Sequence, residues 1–232
     1  MILSRSCILA VAGWIRLIDI MKITALLLFL SGSLHGSSID ERNVQIRQYA
    51  HDYPVASIVT NYGEIRFRLF ADDAPESVNA FLTLIQQRKY DKSSIYRVVD
   101  ESFLQFGIGY EKAMTEKYIP VDKENSRKNI RGAVGFARQE LYNPESCTTE
   151  VYILHRDIPE LDAINFHVFG QIISGYDVLD KIMTVPVERE WKYFKKGILV
   201  KDSAPDAEKV SWFRPIVPID LVSISVGLST DG

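Results

Sequence analysis

Ala56-Ser57-Ile58-Val59-Thr60-Asn61-Tyr62-Gly63-Glu64-Ile65-Arg66-Phe67-Arg68-Leu69-Phe70 reads as two strands joined by a tight turn. In the second run Ile65, Phe67 and Leu69 alternate with Arg66 and Arg68, the period-two pattern of a strand with one face buried. The glycine-containing step between the runs makes them a hairpin. Asp72-Asp73-Ala74-Pro75 follows, offering an aspartate N-cap and a proline for a first helical turn. Val78, Phe81, Leu82 and Ile85 then fall at i, i+3, i+4 and i+7, which predicts an amphipathic helix.

Working outward, a second helix is predicted over 175–182, where Val178, Leu179 and Ile182 share a face. Short β-type runs lie between the helices at 95–99, 103–107, 133–136, 151–154 and 168–173, and a last strand is predicted at 216–226. Many short strands with two distant helices point to a mainly β protein, an antiparallel barrel capped by helices, rather than to alternating βα units. The charge-rich stretch 188–212 reads as an inserted loop before the closing strand.

The chain of 232 residues is 47% apolar and 25% charged, enough for one domain with its own core. Its net charge of −3 is spread out, without the basic stripe of a nucleic-acid binder, so no nucleic-acid partner is expected. With two cysteines, Cys7 and Cys147, no disulfide framework is expected, and no residue next to Cys147 in sequence is suited to activate it. No metal-ligand cluster, phosphate-binding glycine loop or nucleophile elbow occurs, so neither metal nor cofactor is expected.

Met21-Lys22 followed by an apolar run to Leu30 and small residues at Ser31-Gly32-Ser33 and Gly36-Ser37-Ser38 has the layout of an export signal. Residues 1–38 are therefore expected to be removed, with Met21 the true start and the mature protein periplasmic. The alternative is a membrane anchor that combines this run with the preceding apolar stretch 1–20, the two being interrupted by Lys22. Residues 39–54 read as a lead-in, 55–226 as the domain and 227–232 as a tail. The mature form is expected to be a monomer without a membrane span.

Over roughly 55–226 the chain resembles a cyclophilin. The resemblance rests on the hairpin with Gly63-Glu64-Ile65, on Ala74-Pro75-Glu76-Ser77-Val78-Asn79-Ala80-Phe81, and on Ile95-Tyr96-Arg97-Val98-Val99. Further on it is carried by Phe103-Leu104-Gln105-Phe106-Gly107, Arg131-Gly132-Ala133-Val134-Gly135-Phe136-Ala137, Leu161-Asp162 and His167-Val168-Phe169-Gly170-Gln171. It implies a closed antiparallel eight-stranded β-barrel capped by two α-helices, and peptidyl-prolyl cis-trans isomerase activity on proline-containing polypeptide clients. The alternative on the same scaffold is a weakly active or inactive binding module.

By that resemblance Arg97 is the catalytic donor to the imide nitrogen, and Phe103, Phe136, Tyr152, Glu150, Leu161 and Phe166 line the substrate site. A one-residue insertion leaves His167 as an alternative to Phe166. Several positions depart from the family pattern. Phe106 stands where a glutamine is expected, with Gln105 displaced onto what alternation makes the opposite face. Arg138 replaces an asparagine, Glu150 a glutamine and Glu160 an aromatic, and Glu150 is placed to pair with Arg138 or Arg97. A hydrolase built from Glu150 with His155 or His167 has no recognised motif behind it.

Overall fold

A computed structural model describes residues 53–228 apart from 114–115, 117, 123–125, 141–142, 144, 196–197 and 201–203. Residues 1–38, where an export signal is expected, the lead-in as far as Asp52 and the tail beyond Leu228 lie outside the described residues.

The opening hairpin forms as the alternation requires, with β1 (Pro54–Thr60) pairing β2 (Gly63–Leu69) from Val55↔Arg68 to Thr60↔Gly63. Ile65, Phe67 and Leu69 are buried and the arginines between them are not. Next comes α1 (Pro75–Gln86), whose N-cap is Ala74. Neither Asp72 nor Asp73 caps it, because the residue at the cap has no side-chain acceptor. A carboxylate distant in sequence does the work: Asp122 accepts the backbone N–H of Glu76 and of Ser77, each at 3.1 Å, and the Ser77 hydroxyl at 2.7 Å.

The other barrel strands are β3 (Ser94–Val99), β4 (Phe103–Gly107), β5 (Ala133–Arg138), β6 (Cys147–Leu154), β7 (Val168–Ser174) and β11 (Ile219–Leu228). Eight strands close in the order β1-β11-β3-β4-β6-β5-β7-β2, every pair antiparallel. Besides α1 the barrel carries α4 (Tyr176–Met183) and two short helices, α2 (Tyr110–Ala113) and α3 (Pro159–Ala163). Phe81 of α1 sits among the rings of Phe67, Phe169 and Phe136, at centroid separations of 5.8, 5.2 and 6.4 Å. From α4, Val178, Leu179 and Ile182 join the same core.

The stretch 188–212 is not a loop. It holds β8 (Val187–Lys195), β9 (Ile198–Val200) and most of β10 (Glu208–Pro215), a three-stranded sheet in the order β10-β8-β9. Charged residues flank the rings on both of its surfaces, which is why the sequence shows no clean apolar face there. On one surface Arg189 and Lys209 each lie 4.2 Å from the Trp191 ring. On the other surface Phe194 and Trp212 are buried, and Arg214 bridges Glu188 and Glu190 at 2.8 and 2.7 Å on the same side. The closing strand begins only at Ile219, because 208–215 already belongs to β10.

Candidate active site

Alternation sorts the strands between β3 and β7 into two faces. Leu104, Phe106, Val134, Phe136, Val151, Ile153 and Phe169 point inward and form the main core. The residues between them point outward, where Tyr152, Leu154 and Val168 form a second apolar cluster with Phe103, Leu161 and Phe166 packed against it. This outer cluster is an apolar patch on the barrel wall in which Phe103, Leu161 and Phe166 are partly exposed.

Arg97 reaches its edge through an irregularity. The β3–β4 register slips between Ile95 and Arg97, so that Ile95 faces Phe106 and Arg97 faces Gln105, with Tyr96 as the extra residue of a bulge. Phe106 points into the core, and Gln105 therefore lies on the face of Arg97 and not on the opposite one. Arg97 donates from Nη1 to Gln105 Oε1 at 3.3 Å. Next in the row, Gln105 pairs with Tyr152, and Tyr152 with Gly135. A Cβ at Gly135 would collide with the Tyr152 ring and hydroxyl, so glycine is needed for the ring to lie across β5. The guanidinium carbon of Arg97 is 5.1 Å from the centroid of Phe103 and 4.2 Å from that of Trp212, a residue of the inserted sheet.

The opposite side of the patch is fixed by Asn129. Tyr152 donates its hydroxyl to Asn129 Oδ1 at 2.8 Å, while Asn129 Nδ2 donates to Asp162 Oδ1 at 2.8 Å and to the Phe166 carbonyl at 3.0 Å. Asp162 thereby anchors α3 and sets Leu161 beside the patch. The Phe166 ring lies tilted against that of Tyr152, with centroids 6.0 Å apart. Burial holds the Tyr152 hydroxyl well above its ordinary pKa, so it stays a neutral donor.

Of the residues named from the sequence, Arg97, Phe103, Tyr152, Leu161 and Phe166 are brought together here. Phe136 is not: it points inward, 4.6 Å from Phe169, because β5 sends Val134 and Phe136 to the core. Glu150 is on the outer face but fully buried, beneath Gly107. Burial pushes its pKa up to about 7, opposed by hydrogen bonds from Tyr96, from the backbone of Ile108 and Gly109 and from Thr149. Arg138 is turned elsewhere, donating to the carbonyls of Ile164, at 2.8 Å, and Asn165, and lying 4.2 Å from the Phe166 ring centroid. Position 138 thus braces Phe166.

His167 lines a different cavity of about 570 Å³ with Ile119, Val121 and Asp122, which leaves Phe166 as the patch residue. His155 lies 3.0 Å from Asp180, so neither histidine joins Glu150 in a hydrolytic arrangement. Cys147 is buried, and that burial raises its thiol pKa, the reverse of what a nucleophile needs. Among the described residues no cluster of His, Cys, Asp or Glu is placed to hold a metal.

The sequence reading misplaced Gln105 and missed Tyr96, Asn129 and Trp212. Only Trp212 left a signal, the β-branched and aromatic run Val210-Ser211-Trp212-Phe213.

The model of the cyclophilin type peptidyl-prolyl cis-trans isomerase family matches residues 55–203. The chain is 33% identical over 144 residues to peptidyl-prolyl cis-trans isomerase B of Escherichia coli, covering 56% of this chain and 84% of that protein. It is 35% identical over 135 residues to a peptidyl-prolyl cis-trans isomerase of Acinetobacter baylyi, covering 55% and 70%. In fold it is similar to a Cryptosporidium parvum cyclophilin type isomerase crystallised in the presence of the dipeptide Ala-Pro. That likeness has a TM-score of 0.56 at 19% identity and covers 75% of this chain and 99% of the other.

Proposed function

This chain belongs to the cyclophilin-type peptidyl-prolyl cis-trans isomerase family, and from that premise we propose that it rotates X-Pro bonds with Arg97 as donor and the outer patch as the proline pocket. Isomerisation breaks no bond; its barrier of about 18–20 kcal/mol is amide resonance. A site lowers it by gripping the proline ring while a donor meets the imide nitrogen as that atom pyramidalises. The observation that carries the reading is the row Arg97, Gln105, Tyr152 beside Phe103, Leu161 and Phe166.

Three rings and a leucine supply the apolar grip. Gln105 orients the guanidinium by accepting from Nη1. A guanidinium presents a rigid planar fork, so imide nitrogen and substrate carbonyl can be met by one side chain. Phe166, where the family carries a histidine, adds apolar area, and Glu160 in place of an aromatic leaves the rim by Leu161 polar. The test is catalysis of cis-trans exchange in a panel of X-Pro peptides by the purified protein. Acceleration is expected, and rates equal to buffer across the panel would leave the site a binding platform.

The clients are exported proteins, met outside the cytoplasm by a monomer. The exported location rests on the Met21–Ser38 layout, and the sequence of the native N-terminus checks it. An intact Met21 in the cytoplasmic fraction would refute it.

A further inference from the structure

We propose that Trp212 is a positioning residue for Arg97, so that the inserted sheet is a working part of the active site; this rests on the catalytic role given to Arg97 above. Trp212 belongs to β10 and lies beyond residues 55–203, the span of the family match, so its place at the site comes from the structure of this chain.

Three observations meet at this residue. The Trp212 centroid lies 4.2 Å from the guanidinium carbon, nearer than that of Phe103 at 5.1 Å. The indole is 5% exposed, so it is itself held. Its supports are Tyr96, stacked at 6.1 Å with 7° between the ring planes, and Phe194 of β8 at 6.4 Å. Tyr96 is the bulge residue next to Arg97, so the irregularity that turns Arg97 toward Gln105 also supplies a ring to Trp212.

The chemistry favours a ring over a carboxylate as the restraint. An unrestrained arginine loses much rotamer freedom when it must meet one geometry, and restraint beforehand removes that cost from the reaction. A carboxylate would fix the fork but occupy its N–H edge and neutralise its charge. An indole face attracts the cation through its quadrupole and engages the flat of the guanidinium rather than its donor edge.

The experiment compares kcat and KM for the wild type, Trp212→Leu and Trp212→Phe, each also in the Arg97→Lys background, with thermal midpoints for all. Trp212→Leu is expected to lower kcat about 10-fold with KM nearly unchanged, and Trp212→Phe to restore most of the loss. In the Arg97→Lys background the Leu change should cost no more than about twofold, since two residues acting through one contact are not additive. The Arg97 Nε–H resonance should also move in Trp212→Leu as the ring current is removed. If Trp212→Leu does not fold, Phe194→Leu, which removes the ring packed on Trp212 from β8, carries the test with a smaller loss in the same direction. An active wild type with equal losses in both backgrounds, or with kcat indifferent to either variant, overturns the proposal alone. A wild type without isomerase activity overturns the functional reading and this one with it.

Discussion

Leu104, Phe106, Val134, Phe136, Val151 and Ile153 meet inside the barrel as an apolar core, while Gln105, Gly135, Glu150 and Tyr152, one step away on the same strands, sit in a hydrogen-bonded outer layer. The two faces share three strands yet answer to different physics. The inner face is held by area and close packing, which tolerate many apolar solutions. The outer face is held by directed contacts, in which each polar group needs its own partner. Damage inside should therefore appear as lost stability, and damage outside as lost rate or a change with pH.

The strongest test of this division is Phe136→Ala. With the ring gone from its contacts to Phe81 and Phe169, stability should fall by about 3–5 kcal/mol in denaturant titration, while KM at temperatures where the protein is folded stays near the wild-type value. A large rise in KM would return Phe136 to the pocket. Its outer-face counterpart is Arg97→Lys, which keeps the charge and changes the geometry. Loss of one preorganised donor is expected to lower kcat/KM about 100- to 1000-fold, equivalent to about 2.7–4 kcal/mol, with the thermal midpoint nearly unmoved. Equal activity in the mutant would show that Arg97 is not the donor.

Glu150 sharpens the comparison, being an outer-face residue with inner-face burial. Its pKa is raised from 4.5 to about 7, so the folded protein holds this proton where the unfolded chain has released it. Stability is then greatest below pH 4.5, as far as this group decides it, and falls as pH rises to about 7, flattening above. The fall amounts to about 3 kcal/mol. Unfolding measured from pH 4.5 to 8 should show this slope in the wild type, and Glu150→Gln should lack it. Parallel curves for the two proteins would mean that the carboxylate is not strained by burial. The smallest effect belongs to Tyr152→Phe. Losing the hydroxyl that donates to Asn129 should cost about 1 kcal/mol of stability and leave the ring in the pocket, so KM should barely change.

The inner face was legible in the sequence because burial writes a period. Ile65, Phe67 and Leu69 gave the hairpin, and Val78, Phe81, Leu82 and Ile85 gave α1. Phe103, Tyr152, Leu161 and Phe166 were found at the site because their motifs resemble a family's, not because their pattern differs from that of core residues. Phe136 shows the weakness of that route: a motif match carries a position but not the face toward which it points. Gln105 shows another, since the bulge at Tyr96 is what brings Arg97 opposite it and has no signature in residue type. Asp122 caps α1 from 45 residues away, so local cap rules turned to Asp72 and Asp73 instead. The inserted sheet reads as a loop in the sequence because charges share both of its surfaces, with Glu188, Glu190 and Arg214 on the side of Phe194 and Trp212, and Arg189 and Lys209 on the side of Trp191.

The seam that closes the barrel has a consequence for when the protein can work. Strand β1 pairs with β11, the Asn61 side chain reaches the Pro218 carbonyl across 157 residues, and β3, which carries Arg97, pairs with β11 as well. Contacts between such distant segments must be reached by a long chain search, so they form late and slow the folding rate. As the chain emerges N-terminus first, Arg97 and its pocket appear well before Trp212 and before the strand that locks β3 into the wall. Until that strand emerges, the open edges of β1 and β3 are unpaired and able to recruit other strands. A protein that rotates X-Pro bonds thus gains its complete site only once its last strand has emerged.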